Sequence, residues 1–239
     1  MTTGIVVALP EELGTLTSKK IAKGCCVFIS DAIVLAYSGA GANNAQIASE
    51  LLIAQGSTRL ISWGCAAALG GALNPGDLVL ADSLIDADGV RIDIAPDWHG
   101  HTLNLLTTTL RTHVGCLAES KSIVASAQHK KSLHILTGAV ALDMESIAVA
   151  KVARQNRLPF LAIRAIADPH NMNLPNAIEH SFNNQGDIDA SKLLLYVALH
   201  PTELPGLIKL GLHFYAAKNA LKRAAEQLDH VIAFASPDR

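Results

Sequence analysis

Cysteine is scarce in this chain and has no partner spacing. Of 239 residues four are cysteine, Cys25, Cys26, Cys65 and Cys116. They form no CxxC pair and no metal-ligand interval, which argues against a disulfide framework or a zinc module. So few thiols in so long a chain predict a reducing, cytosolic setting. Long apolar runs are missing as well. Half of the residues are hydrophobic and the mean hydropathy is +0.30, yet no uninterrupted stretch reaches the ~20 residues that cross a bilayer. The N-terminus lacks a basic segment followed by a cleavable apolar one, so no secretory signal is expected. A net charge of −2 leaves no basic footprint, and no nucleic-acid partner is expected. What remains is the size of one medium domain with a substantial core.

Read in order, residues 4–9 have a buried-strand pattern ended by Pro10. Pro10-Glu11-Glu12-Leu13 then suits a helix start, with proline early and acids in the first turn. On that ground alone Glu11 and Glu12 are equivalent. Segments 26–30 and 33–38 predict a hairpin around Asp31-Ala32. Gly39-Ala40-Gly41-Ala42-Asn43-Asn44 begins like a dinucleotide fingerprint, but Asn44 stands where the third glycine belongs and no acid follows at the expected place. It reads as a tight turn before a helix over 45–54, and no cofactor is expected. A strand over 59–63 runs into Gly64-Cys65-Ala66-Ala67-Ala68, where small residues admit either a ligand or close strand–helix packing. Asn74-Pro75-Gly76-Asp77 is a turn before a strand at 78–81.

Segment 82–113 yields no clear element. It carries Asp82, Asp86, Asp88, Asp93 and Asp97 with His99 and His101, but no matching ligand spacing elsewhere, so no metal is expected. Short strands are predicted at 114–119 and 122–125, and a helix at 128–137.

The centre of the chain is Ala141-Leu142-Asp143-Met144-Glu145-Ser146. Asp143 or Ser146 is the expected N-cap of an amphipathic helix. An apolar run over 158–166 predicts a strand buried on both faces, with Asp168 just past its end. Strand ends of this kind are where ligands bind in open α/β sheets. Singly, Glu145 could merely cap a helix and Asp168 merely begin a turn before Pro169. Together they suggest a site.

Asp143-Met144-Glu145-Ser146 followed by Arg164-Ala165-Ile166-Ala167-Asp168 resembles the nucleoside phosphorylase/nucleosidase superfamily. The likeness is greatest to the branch of methylthioadenosine/adenosylhomocysteine nucleosidases and hopanoid-associated phosphorylases. Gly4-Ile5-Val6-Val7-Ala8-Leu9-Pro10-Glu11-Glu12 and Gly64-Cys65-Ala66-Ala67-Ala68-Leu69, leading to Pro75-Gly76-Asp77-Leu78-Val79, agree in the same order. The resemblance spans roughly residues 3–170. It implies an α/β fold, a single domain with a mixed central β-sheet flanked by helices, over 1–186, and a C-terminal helical extension over 187–239 packed on it. It also implies a homodimer.

The chemistry implied is cleavage of an N-glycosidic bond to a purine. The base must be protonated to leave, the ribosyl cation must be stabilised, and a nucleophile must reach the anomeric carbon. By resemblance Asp168 protonates purine N7, Glu145 holds the ribose hydroxyls with Met144 against the sugar, and Glu12 activates the nucleophile. Leu9, Cys65, Ala66 and Gln128 are the further substrate-binding candidates. Arg164, inside an apolar strand, is expected to be a buried partner of one of the carboxylates. Phosphorylases of the superfamily carry an arginine where this chain has Ser62, and the segment after Leu9 offers acids rather than cations. Water is therefore the expected nucleophile.

The chain also departs from the family. Cys65 and Ala167 stand where serine is usual, and the phenylalanine that stacks on adenine is missing, with Ala127, Gln128 and His129 nearest its place. Beyond 193–199, Pro201 and Pro205 precede an expected helix over 206–231. Its apolar face is Leu207, Leu210, Phe214, Ala217, Leu221, Ala224 and Leu228, and its basic side Lys209, His213, Lys218, Lys222 and Arg223. Such a helix either packs on the core or touches a membrane or lipid substrate from the inner face. The leading expectation is hydrolysis of an adenine nucleoside with an apolar 5′ group, adenosylhopane first. The alternatives are a methylthioadenosine/adenosylhomocysteine nucleosidase, a phosphorylase, or a non-catalytic nucleoside- or lipid-binding protein.

Overall fold

The computed structural model describes residues 1–181 and 190–234. Its frame is a nine-stranded mixed sheet. The first strand, β1 (Thr2–Val7), is followed by a short helix α1 (Pro10–Leu13), the hairpin β2 (Cys25–Ser30) and β3 (Ile33–Tyr37), and helix α2 (Ala42–Ala54). Next come β4 (Ser57–Ala68), β5 (Leu78–Ile85), β6 (Arg91–Asp93), helix α3 (Pro96–Thr107) and β7 (Thr112–Glu119). Helix α4 (Ala127–Thr137), β8 (Ala141–Asp143), helix α5 (Ser146–Gln155) and β9 (Phe160–Asp168) complete the sheet. Helices α6 (Asn176–Glu179) and α7 (Ala190–Leu199), a 3₁₀ turn (Pro201–Glu203), α8 (Leu204–Ala225) and α9 (Leu228–Ile232) follow.

The strand order is β2-β3-β1-β4-β8-β7-β5-β6, with β9 pairing both β4 and β5. The pairings β4–β9, β9–β5, β5–β7, β7–β8 and β8–β4 therefore close a ring. Strand β9 is one of its members, and all nine of its residues are buried, which explains its nearly continuous apolar sequence. The small residues 64–68 are part of β4 itself. Their lack of bulk lets one strand pair β9 along most of its length and β8 at its end.

The hairpin, the strand at 59–63 and the helix at 128–137 form as the sequence predicts, and β8 precedes α5 as the amphipathic pattern requires. Four details differ. Residues 122–125 form no strand, because β8 is only three residues long and leaves β7 no further partner. The N-cap position of α5 is Glu145 rather than Asp143 or Ser146, although the Asp143 carboxylate does accept the Ser146 N–H. Asp168 is the last residue of β9 and not the residue after it. The helix expected over 206–231 begins earlier and breaks into α8 and α9 at residues 226–227.

The expected domain boundary at 186/187 lies outside the described residues. Helices α8 and α9 share the core of the sheet. Ala217, Ala220, Leu221, Ala224, Leu228 and Val231 lie in one cluster with Ile5, Trp63, Leu161 and Ile163. Arg59 fastens the end of this unit, donating to the carbonyls of Ile232 and Phe234, while Trp98 Nε1 donates to Val231 O. Among the described residues no helix is long and apolar enough to cross a membrane.

Candidate active site

The site is built where α1, β4, α5 and β9 meet. Helix α1 is one turn, started by Pro10, and it separates the two acids that the sequence leaves equivalent: Glu11 points to solvent and Glu12 is buried. The Glu12 carboxylate accepts the Leu9 N–H (3.1 Å), closing the helix start on itself, and the Cys65 N–H (2.7 Å). Thr15, which donates to Glu12 O and receives the Trp63 indole N–H, fixes the turn from behind. Burial pushes the Glu12 pKa up to about 7, with Arg164 and the two amides pulling the other way. The neutral form is thereby brought within reach of physiological pH.

Glu145 enters from the start of α5. One oxygen accepts the Gly41 N–H (2.8 Å), and the other lies 3.9 Å from Arg164 Nη2. The Gly39-Ala40-Gly41 turn thus has a use unrelated to dinucleotides. Gly41 adopts φ 98°, a conformation open mainly to glycine, which aims its amide at Glu145. Burial raises the Glu145 pKa, and Arg164 opposes it.

Arg164 underlies both acids. Its Nε lies 2.5 Å from Asp143 Oδ2, and its Nη2 donates to Ser62 Oγ (2.7 Å) and Ser146 Oγ (3.0 Å). The expected buried ion pair therefore exists, with Asp143 as its short partner and Glu145 as a longer one.

Asp168 stands at the end of β9, beside a bulge. Ala66 pairs Ile166 and Ala67 pairs Asp168, so Ala167 is the extra residue, and such bulges re-aim side chains. Its partner Ala67 is two residues beyond Cys65, about 7 Å along β4 from the amide that holds Glu12. Burial raises the Asp168 pKa to about 6, against the pull of Lys130. Lys130, from α4, has no solvent-exposed side-chain surface and lies 2.6 Å from Asp168 Oδ1.

The other expected residues fall as follows. Leu9 and Cys65 contribute their amides to Glu12. Burial and the Glu12 charge hold the Cys65 thiol well above its usual range, so it stays neutral. Ala66 is buried and Met144 half-buried. Gln128 is exposed; it is two residues from Lys130 and so turned some 200° away around the helix. Lys130 is the residue of α4 that reaches the site. Nothing in the sequence marks it. Among the described residues no group of three or more His, Cys, Asp or Glu could hold a metal ion.

Three buried carboxylates follow β1, follow β8 and end β9, Glu12 and Glu145 beside Arg164 and Asp168 beside Lys130, in the order of the sequence motifs. The family model described as the phosphorylase superfamily matches residues 2–198. The chain belongs to the phosphorylase superfamily. Among its relatives in that superfamily is the 5′-methylthioadenosine/S-adenosylhomocysteine nucleosidase of Staphylococcus epidermidis, 26% identical over 195 residues, 74% of this chain and 80% of the relative. The Staphylococcus aureus enzyme of the same name is 28% identical over 155 residues, covering 57% of this chain and 68% of that one. Of solved folds, the Helicobacter pylori nucleosidase of that name, bound to a pyrrolidine ligand, superposes with a TM-score of 0.72 at 18% identity, covering 97% of each chain. The futalosine hydrolase of the same organism gives 0.71 at 18% identity, again with 97% of each chain covered. Both superpositions cover nearly the whole chain, so the likeness of fold runs through the C-terminal helices.

Proposed function

We propose that this protein is an N-glycosidase that hydrolyses an adenine nucleoside with an apolar 5′ substituent, adenosylhopane first and methylthioadenosine or adenosylhomocysteine second. The observation that carries this reading is the burial of three carboxylates, Glu12 and Glu145 beside Arg164 and Asp168 beside Lys130. Water loses a proton to Glu12 as its oxygen attacks the anomeric carbon. The electron pair of the C–N bond passes to the purine, and Asp168 delivers a proton to N7. Glu145 grips the ribose hydroxyls and lies against the charge that grows on the sugar. Water rather than phosphate is supported by Arg164. It is 1% exposed, and its Nε and Nη2 are already engaged by Asp143, Ser62 and Ser146, which leaves little of it for an anion.

The apolar 5′ group is supported by a surface that the core leaves open. Helix α8 buries its C-terminal half, but its first half turns Leu204, Ile208, Leu212 and Tyr215 outward at helical spacing, each about half exposed or more. Leu194, Leu195 and Leu199 of α7 are exposed as well. The expected packed face holds through Ala217, Leu221, Ala224 and Leu228, while Leu207, Leu210 and Phe214 are only half-buried. Of the expected basic side, Lys209, Lys222 and Arg223 face solvent. An apolar stripe followed by cations suits contact of residues 206–231 with an anionic inner membrane face. We place the protein in the cytoplasm, as a homodimer that visits that surface.

The deciding experiment is adenine release from adenosylhopane and from methylthioadenosine, each with and without phosphate. Release without phosphate, faster on adenosylhopane, is the expected result. Faster turnover of methylthioadenosine would transfer the assignment to the second substrate, for which the staphylococcal relatives' names speak. Strict phosphate dependence would overturn the water argument. No release under any condition would leave a nucleoside- or lipid-binding protein.

A further inference from the structure

Resting on that reading, we propose that Lys130 is the positioning residue of the acid that protonates the purine. It fixes one oxygen of Asp168 so that the other alone faces the base, and it supplies the counter-charge when the proton leaves. An ammonium group has three N–H donors and no acceptor. Here all three are used inside the protein: Asp168 Oδ1 at 2.6 Å, Met172 O at 2.9 Å and Pro169 O at 3.1 Å. The side chain has no exposed surface, so no water substitutes for any of these bonds.

Two consequences follow for the reaction. A carboxylic acid that gives its proton to N7 becomes a carboxylate, and in a buried place that anion is costly without a partner. Lys130 already stands beside the oxygen on which half of the charge settles. Since Oδ1 is committed, the transferable proton sits on Oδ2, and Asp168 meets the purine through a single oxygen. It donates to N7 through Oδ2 while Oδ1 keeps its bond to Lys130.

The remaining surroundings of Asp168 do not duplicate this role. Its neighbour on β4 is Ala67, which does not titrate, and His170 on its own segment lies against Gly71. The loop after Asp168 is tied to α4 in other ways too. Asn173 Oδ1 accepts the Ala127 N–H at the head of the helix, and Leu174 N donates to Ala125 O. Loss of Lys130 therefore leaves the loop attached to α4.

The test uses Lys130→Met and Lys130→Arg in the full chain. For Lys130→Met the expected result is a kcat about a hundredfold lower with KM little changed, and an alkaline limb of the pH–rate profile displaced upward, because Asp168 loses its counter-ion. Lys130→Arg keeps the limb where it is in the native protein. Isotope-edited infrared titration of the Asp168 carboxyl, which needs no turnover, is expected to move to higher pH in Lys130→Met and not in Lys130→Arg. A folded Lys130→Met with an unmoved carboxyl titration and a kcat within threefold of native would overturn the proposal. Should Lys130→Met not fold, a Lys130→Arg whose carboxyl titration moves upward as well would overturn it. If the native protein releases no purine while the titration still moves, the N-glycosidase reading fails and the Lys130–Asp168 pairing stands.

Discussion

A Cβ atom built on Gly64 would lie 2.3 Å from Arg164 Nη1 and 2.7 Å from Glu12 Oε1. The absence of a side chain at this one position of β4 is what allows the guanidinium and the carboxylate to meet over the strand. Neither neighbour can retreat cheaply, since Arg164 is held by Asp143, Ser62 and Ser146, and Glu12 by two amides. Gly64→Ala is expected to cost about 1–3 kcal/mol through overpacking and to lower kcat/KM by displacing Glu12. Thermal melting and steady-state kinetics read the two effects. An alanine variant with native melting and native kinetics would disprove the contact.

Removing the arginine should be worse than removing any one acid. Arg164→Met leaves Asp143 and Glu145 buried without their counter-charge, a loss of about 3–5 kcal/mol. Asp143→Asn keeps a hydrogen-bonding group beside Arg164 and should cost less. Urea unfolding of the two variants at neutral pH gives the ranking, and the reverse order would show that Arg164 is not the common support.

In the proposed reaction the pH dependence of kcat/KM follows from two acids with opposite duties. Glu12, with a pKa of about 7, must be ionised to accept a proton. Asp168, with a pKa of about 6, must be protonated to give one. Because the base titrates above the acid, the profile is a narrow bell centred near pH 6.5. Only a minority of free molecules carry the productive pair of protonation states. Asp168→Asn removes the alkaline limb and most of the rate. A broad plateau from pH 5 to 8 would contradict both assignments.

Stability should respond to Glu12 in the direction opposite to the rate. The folded-state pKa is raised from 4.5 to about 7, so the folded protein holds this proton where the unfolded chain has lost it. The contribution to stability is fully present below pH 4.5 and is lost as the pH climbs through 7. Glu12→Gln, which cannot ionise, is therefore expected to gain on the native protein by ~3 kcal/mol at pH 8 and to match it near pH 4.5. Melting curves at the two pH values decide this, and a variant less stable at pH 8 would reverse the sign.

Much of this site was legible because its acids sit in motifs whose local chemistry is self-contained. Pro10 starts a one-turn helix whatever lies around it, and the Asp143–Ser146 run caps a helix through its own carboxylate. Strand β9 reads from its apolar run, since both its faces are covered. Lys130 was not legible: a lysine in a mostly polar helix ordinarily faces water, and only the arrival of residues 168–172, nearly forty positions away in sequence, turns it inward. The same holds for α3. Trp98, Thr102 and Leu106 have helical spacing and Pro96 is a good first residue, but the surrounding aspartates and histidines hide the pattern. The overreading of 122–125 has the converse cause. A β-favourable stretch makes a strand only where a partner edge continues, and β8 ends too soon.

The closed circuit of β4, β9, β5, β7 and β8 has a consequence for how the molecule opens. Amides of β9 that bond to strands on either side within the ring have no edge from which to peel. They should exchange hydrogen for deuterium only when the whole protein unfolds. The first half of α8, with its outward leucines and thin packing, belongs to the opposite class and should exchange by local fraying. Asp168, at the end of β9, thus borders the part of the protein that yields last, while the outward leucines of α8 belong to the part that yields first.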